Sequence, residues 1–157
     1  MSGKRIAGVK LHGTENIDWE DIAINIEKGK SYIYLGDIGG NNQRVYGNRL
    51  RNSLKIYKFE EPDMHQGRDI EMNSNQIRHI SVKYPNNERH DCEAMAVDPQ
   101  NNEILLFTKT WEQHLSHVFR VPHGSGNPKT LEFIKTLRLK EVTGETIVNS
   151  GCIFLRT

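Results

Sequence analysis

Apolar and polar residues alternate along this chain in short runs, and a helical spacing of apolar positions is hard to find. Runs rich in Ile, Val, Tyr and Phe are separated by Gly, Asn and Pro clusters at Gly36–Asn42, Pro85–Asn87, Pro99–Asn102 and Gly124–Pro128. A period of two residues is what a strand with one buried face requires, because successive side chains point to opposite sides. The clusters between runs supply turns. The pattern therefore predicts an all-β protein.

The runs also repeat. Glu20-Asp21-Ile22-Ala23, Glu93-Ala94-Met95-Ala96 and Glu145-Thr146-Ile147-Val148 share a Glu, any residue, a large aliphatic and a small apolar residue, with Glu-to-Glu spacings of 73 and 52. Each copy leads into a second run: Tyr32–Asp37, Ile104–Lys109 and Cys152–Thr157. A third run ends before proline, Ile56–Phe59 before Pro62 and Val118–Val121 before Pro122. A fourth closes the unit, Ile77–Tyr84 in one and Leu131–Leu139 in the other.

Four strands repeated in this way are the signature of a β-propeller blade. The chain divides into units at approximately 18–85, 91–140 and 143–157, and residues 4–11 are expected to form the last strand of a preceding blade. That makes one partial propeller domain of about two and a half four-stranded antiparallel blades, with Asn41–Ser53 as a loop or long hairpin lengthening the first. Such a set cannot close a ring of ~4–8 blades. The expectation is a fragment, or a ring completed by self-association or by other chains. The alternative is a two-sheet sandwich, which gives no reason for the same Glu to open every unit.

Composition narrows the partners. Lys and Arg number 21 against 20 for Asp and Glu, a balance that argues against a nucleic-acid binder. The longest apolar run, Ile104–Phe107, is too short to span a membrane, and the N-terminal residues have no signal-peptide pattern. Cys92 and Cys152 form no disulfide framework or four-ligand zinc site. One bridge or two buried thiols are both open.

Several motifs, in order, resemble a group of mostly secreted propeller-like proteins. They are Asp18-Trp19-Glu20-Asp21-Ile22-Ala23, Gly36-Asp37-Ile38-Gly39, Ile56-Tyr57 with Pro62, Asp91 with Glu93-Ala94, and Val142-Thr143-Gly144 with Leu155-Arg156-Thr157. That group is similar in general appearance to six-bladed propellers that include phytase-like and other calcium-dependent hydrolases. The resemblance implies a propeller, a six-bladed ring and an extracellular location. Gly40 stands where the group has an Asp, and Cys92 where it has a small residue.

The first strand of each blade lines the channel, so Glu20, Glu93 and Glu145 are expected to converge on the axis. Carboxylates brought together repel unless a cation, an Arg or protonation relieves them. Ca2+, which takes 6–8 oxygen ligands, is the simplest candidate. Asp21, Asp37, Asn41 and Asp91 are further candidate ligands or supporting groups. The alternative role for each Glu is to accept backbone hydrogen bonds from a neighbouring blade. Asp37–Asn42 is no EF-hand, because the twelfth position is Asn48, and it reads as a turn presenting Asp37.

In His90-Asp91-Cys92-Glu93, alternation puts His90 and Cys92 on one face and Asp91 and Glu93 on the other. His90 is the candidate general base. Trp19 and Trp111 read as packing residues, with Trp111 the candidate substrate contact. Arg44, Arg49, Arg51 and Lys55 read as a solvated loop or a phosphate-binding lip. Three functions follow from these candidates: a calcium-dependent phosphoester or ester hydrolase, a non-catalytic protein- or glycan-binding scaffold, and a fragment with no independent activity.

Overall fold

The computed structural model describes residues 5–40, 51–64, 67–110, 114–139, 144–147 and 153–156, the last two segments as strands. In chain order the strands are β1 (Val9–Leu11), β2 (Trp19–Glu27), β3 (Lys30–Asp37), β4 (Ser53–Glu60), β5 (Ile70–Met72), β6 (Arg78–Lys83) and β7 (Asp91–Val97). They continue with β8 (Ile104–Lys109), β9 (Leu115–Val121), β10 (Lys129–Thr130), β11 (Glu132–Arg138), β12 (Gly144–Ile147) and β13 (Ile153–Arg156). Two single 3₁₀ turns are the only helical pieces among the described residues, and no helix there is long and apolar enough to cross a membrane. The protein is all-β.

Two antiparallel meanders carry the fold. In the first sheet β2, β3, β4 and β6 lie side by side, and in the second β7, β8, β9 and β11 do the same. Strands β12 and β13 form a separate hairpin. None of these sheets closes on itself among the described residues. β2 packs beside β7, and β7 beside β12, so the three strands that open on the repeated Glu stand in one row. The runs seen in the sequence coincide with these strands. Of the candidate insertion Asn41–Ser53, residues 41–50 lie outside the described residues, and Ser53 already opens β4.

Two short strands escaped the pattern. β10, just before β11, pairs in parallel with β6 at the outer edge of the first sheet. β5, just before β6, pairs in parallel with β1. The two cases correspond: a short strand preceding the last strand of one unit adds to a strand outside that unit. Strands of two or three residues are too brief to show periodicity.

The main core lies between the sheets. Tyr34, Leu54, Ile56, Val82 and Tyr84 of the first half meet Cys92, Met95, Val97, Leu106, Phe119 and Val121 of the second. On the other side of the second sheet Ala94, Ala96, Phe107 and Val118 form a second cluster. On the other side of the first sheet Tyr57, Phe59, Met72 and Ile77 pack with Val9, Leu11 and Ile70. Each sheet is thus apolar on both faces, as a middle layer in a stack must be.

Ile38 is fully buried in the main core, and Asp37, Gly39 and Gly40 are buried with it. Residues 37–40 of the segment expected as a turn presenting Asp37 are thus interior. Trp19, expected as a packing residue, is 37% exposed, and its indole N–H donates to the Glu15 carbonyl at 2.9 Å. Cys92 is a buried thiol; Cys152 lies outside the described residues.

Candidate functional site

The polar centre of the molecule is where β2 and β7 begin. Both strands carry a bulge at the same place. In β2, Trp19 faces Asp37 and Asp21 faces Gly36, which leaves Glu20 as the extra residue. In β7, Cys92 faces Thr108 and Ala94 faces Phe107, which leaves Glu93 extra. A bulge re-aims the side chain of its added residue and is frequent beside functional sites. In β12 the pairing is regular, with Glu145 opposite Leu155.

The bulges bring together the carboxylates of Asp18, Glu20, Asp91 and Glu93. Burial, then the charge of Glu93, then that of Asp18, push Glu20 up from 4.5 to about 8. Burial and Asp91 push Glu93 up from 4.5 to about 7, opposed by Lys109, whose ammonium is 3.7 Å away. Asp18 Oδ2 is buried with no hydrogen-bond partner among the described residues when both carboxyls are ionised. A proton on Glu20 would supply an O–H donor, consistent with the hydrogen bond between these two carboxyls that helps hold Glu20 high.

Gly39 completes the wall. A Cβ at that position would come within 2.5 Å of Asp18 Oδ2 and of Glu20 Oε1, so only glycine lets these two carboxyls approach the backbone.

The other aspartates hold the frame. Asp21 Oδ2 accepts from Met95 N–H at 2.8 Å, and Asp91 Oδ1 accepts from Gly40 N–H at 2.9 Å. Each sheet therefore lends a carboxylate to the backbone of the other. Sheet-to-sheet pinning was the alternative role for the repeated Glu, and these two aspartates perform it. Burial raises Asp21, partly offset by its bond from Met95.

Asp37 is fully buried. Its carboxylate accepts from Asp18 N–H at 2.9 Å and from Arg51 Nη1 at 2.8 Å, while Arg51 Nη2 donates to the Asp37 carbonyl at 2.9 Å. Asp37 thereby fixes the backbone that carries Asp18. Arg51 is 8% exposed, so it belongs to the interior and to neither a solvated loop nor a phosphate-binding lip. Lys55, from the same basic stretch, pairs with Glu15.

His90 sits apart from the carboxylates, packed edge-on against Tyr84 at 4.7 Å and near His117 and Phe119, with Glu88 3.1 Å from its Nε2. It immediately precedes β7 and packs on Tyr84 and Phe119, members of the same core cluster as Cys92, in line with the shared face expected from alternation. His90, His117, Phe119, Phe133 and Pro85 line an open cleft of about 500 Å³. Burial and the neighbouring His90 lower the basicity of His117. The candidates Asn41 and Trp111, and the side chain of Glu145, lie outside the described residues.

Sequence reasoning missed Asp18, Gly39 and Lys109. The signal for Asp18 was present: Asp-x-Glu occurs at 18–20 and again at 91–93. Among the described residues no three His, Cys, Asp or Glu side chains are grouped so as to hold a metal ion. Were Asp18, Glu20, Asp91 and Glu93 drawn closer together, their oxygens would suit a hard cation such as Ca2+ and not a zinc-type ion.

Compared with known proteins, the chain has no match among protein-family models, curated proteins or solved structures.

Proposed function

We propose that this chain carries part of a β-propeller ring, six-bladed by its resemblance, whose axial carboxylates Asp18, Glu20, Asp91 and Glu93 take up Ca2+. The observation that carries this is the recurrence of Asp-x-Glu at the bulged start of two neighbouring first strands, with both glutamates pushed up by burial and by each other's surroundings. A group of buried and half-buried acids, two of them held above their ordinary range, is strained when ionised, and a divalent cation relieves that strain where a proton otherwise does. The row β2–β7–β12 and the matching additions of β5 to β1 and β10 to β6 support the ring. Bound there, the cation would tie the first sheet to the second.

Calorimetric titration of calcium at pH 8 tests this. The expected result is heat of binding, proton release and a raised melting temperature, all lost in the Glu20→Gln/Glu93→Gln double variant. A flat trace with an unchanged melting temperature sinks it.

The non-catalytic binding scaffold is favoured by one separate observation, the cleft bounded by His90, His117, Phe119 and Phe133. Aromatic rings with a few polar groups suit a glycan or a peptide. His90 lies in that cleft and away from the carboxylates, so a hydrolase using His90 on a cation-bound substrate has less support than either binding role.

A further inference from the structure

Ile22 and Met95 hold the same position in the two copies of the repeat, 73 residues apart. Their backbone N–H groups even donate to one carboxylate, Asp21, at 2.8 Å each. Their surroundings are opposite. Met95 is fully buried, whereas Ile22 is 57% exposed.

The contrast runs along the whole strand. The bulge at Glu20 turns Trp19 to the same side as Ile22, Ile24 and Ile26, and these four large side chains are 37%, 57%, 59% and 68% exposed. Their counterparts Cys92, Met95 and Val97 are buried, packed into the core against the first sheet. Only the outer part of the exposed face is covered, by β1 and β5 through Val9, Leu11 and Ile70. The inner part carries a contiguous apolar stripe that soluble proteins seldom leave to water.

We infer that this stripe is an interface for a second copy of the same chain, docked head to tail. What covers Met95 and Val97 is the opposite face of a sheet of this same repeat, so a sheet of this repeat is the surface the stripe fits. The row β2, β7, β12 sets the direction: β2 of one copy would follow β12 of another in the same series. Head-to-tail contacts of this kind close into a ring or propagate. The inference deepens the ring reading but does not depend on the cation. Failure of calcium binding leaves it standing, and failure of assembly leaves the calorimetric test unchanged.

Analytical ultracentrifugation of the whole chain between 1 and about 100 µM tests it, a span that covers the weak and moderate affinities usual for such contacts. The expected result is a concentration-dependent oligomer for the wild type and at least a tenfold weaker association for Ile24→Lys, a substitution at an exposed site that leaves the circular dichroism unchanged. Ile24→Ser, polar but uncharged, should weaken it less. A wild-type monomer throughout that range overturns the inference, as does an Ile24→Lys variant that assembles like the wild type. A third outcome also overturns it: efficient disulfide linkage between two copies of Ile24→Cys in a Cys152→Ser background, which would mean stripe against stripe.

Discussion

Glu20 and Glu93 are each the unpaired residue of a bulge in a first strand, and the charge of Glu93 is one reason the Glu20 carboxyl holds its proton to about pH 8. The sign of the consequence is fixed. A carboxyl with a raised folded-state pKa binds its proton more tightly in the folded chain, so its favourable contribution is complete below 4.5 and is lost as the pH climbs through about 7 and about 8. Glu15, Glu27 and Glu71 act oppositely, since their cationic partners lower them and their contribution is lost on acidification. Thermal stability without calcium should therefore peak near pH 5 and decline by pH 8.5. Glu20→Gln should flatten the alkaline decline and leave the acid limb alone. Melting temperatures at five or six pH values decide it; parallel profiles for the two proteins would be inconsistent with a raised Glu20.

Asp21 joins the sheets through the Met95 N–H, a donor with no water to replace its partner because Met95 is fully buried. Removing the acceptor should cost about 1–3 kcal/mol, the usual penalty for an orphaned buried donor. Asp21→Ala is expected to show this in urea unfolding, and Asp21→Asn to recover much of it because an amide oxygen still accepts. Equal losses in both variants would point to the charge and not to the bond.

The strands were legible because eight of them, four to a sheet, are runs rich in Ile, Val, Tyr and Phe bounded by turn residues; the alternation expected of a strand with one buried face fails in β7 and β8, which are apolar on both faces. Glu20 and Glu93 were legible because they repeat. What was not legible had local physical causes. β5 and β10 owe their extended form to pairing with distant edges, β1 and β6, and not to their own composition. Ile38 and Gly39 look like turn residues, and their burial follows from the second sheet closing over them. Arg51 stood in a basic run, and only the folded chain sets it against Asp37. The bulges follow from a one-residue slip in pairing that neither strand announces by itself.

The Asp37–Arg51 pair should be among the more costly polar features to break. Both side chains are nearly or wholly removed from water, and the guanidinium reaches both the carboxylate and the carbonyl of Asp37. Losing one member of a buried pair typically costs about 3–5 kcal/mol, because the other is left charged in the interior. Arg51→Met should therefore lower stability by that order. Arg51→Lys should restore only part of it, since an ammonium cannot make the two-pronged contact. Denaturant midpoints compared at equal slope are the measurement; a loss below about 1 kcal/mol for Arg51→Met would mean water replaces the guanidinium.

Gly39 offers a sharper probe of the carboxylate centre than any acidic residue, because it changes no charge. A methyl group there would press within 2.5 Å of Asp18 Cγ and Oδ2 and of Glu20 Oε1, far inside contact distance. Asp18 cannot retreat freely, since its own N–H is held by Asp37 and its carbonyl accepts from Gly39 N–H at 3.2 Å. Gly39→Ala should thus destabilise by about 1–3 kcal/mol, the ordinary cost of overpacking. It should also weaken calcium binding at least tenfold, if Asp18 and Glu20 are ligands, while Gly29→Ala, in the β2–β3 turn at the far end of β2 where a Cβ meets nothing, does not. Calcium titration of the two variants side by side separates the outcomes. Loss of stability with unchanged calcium affinity would leave Gly39 as a packing residue and remove Asp18 and Glu20 from the ligand set.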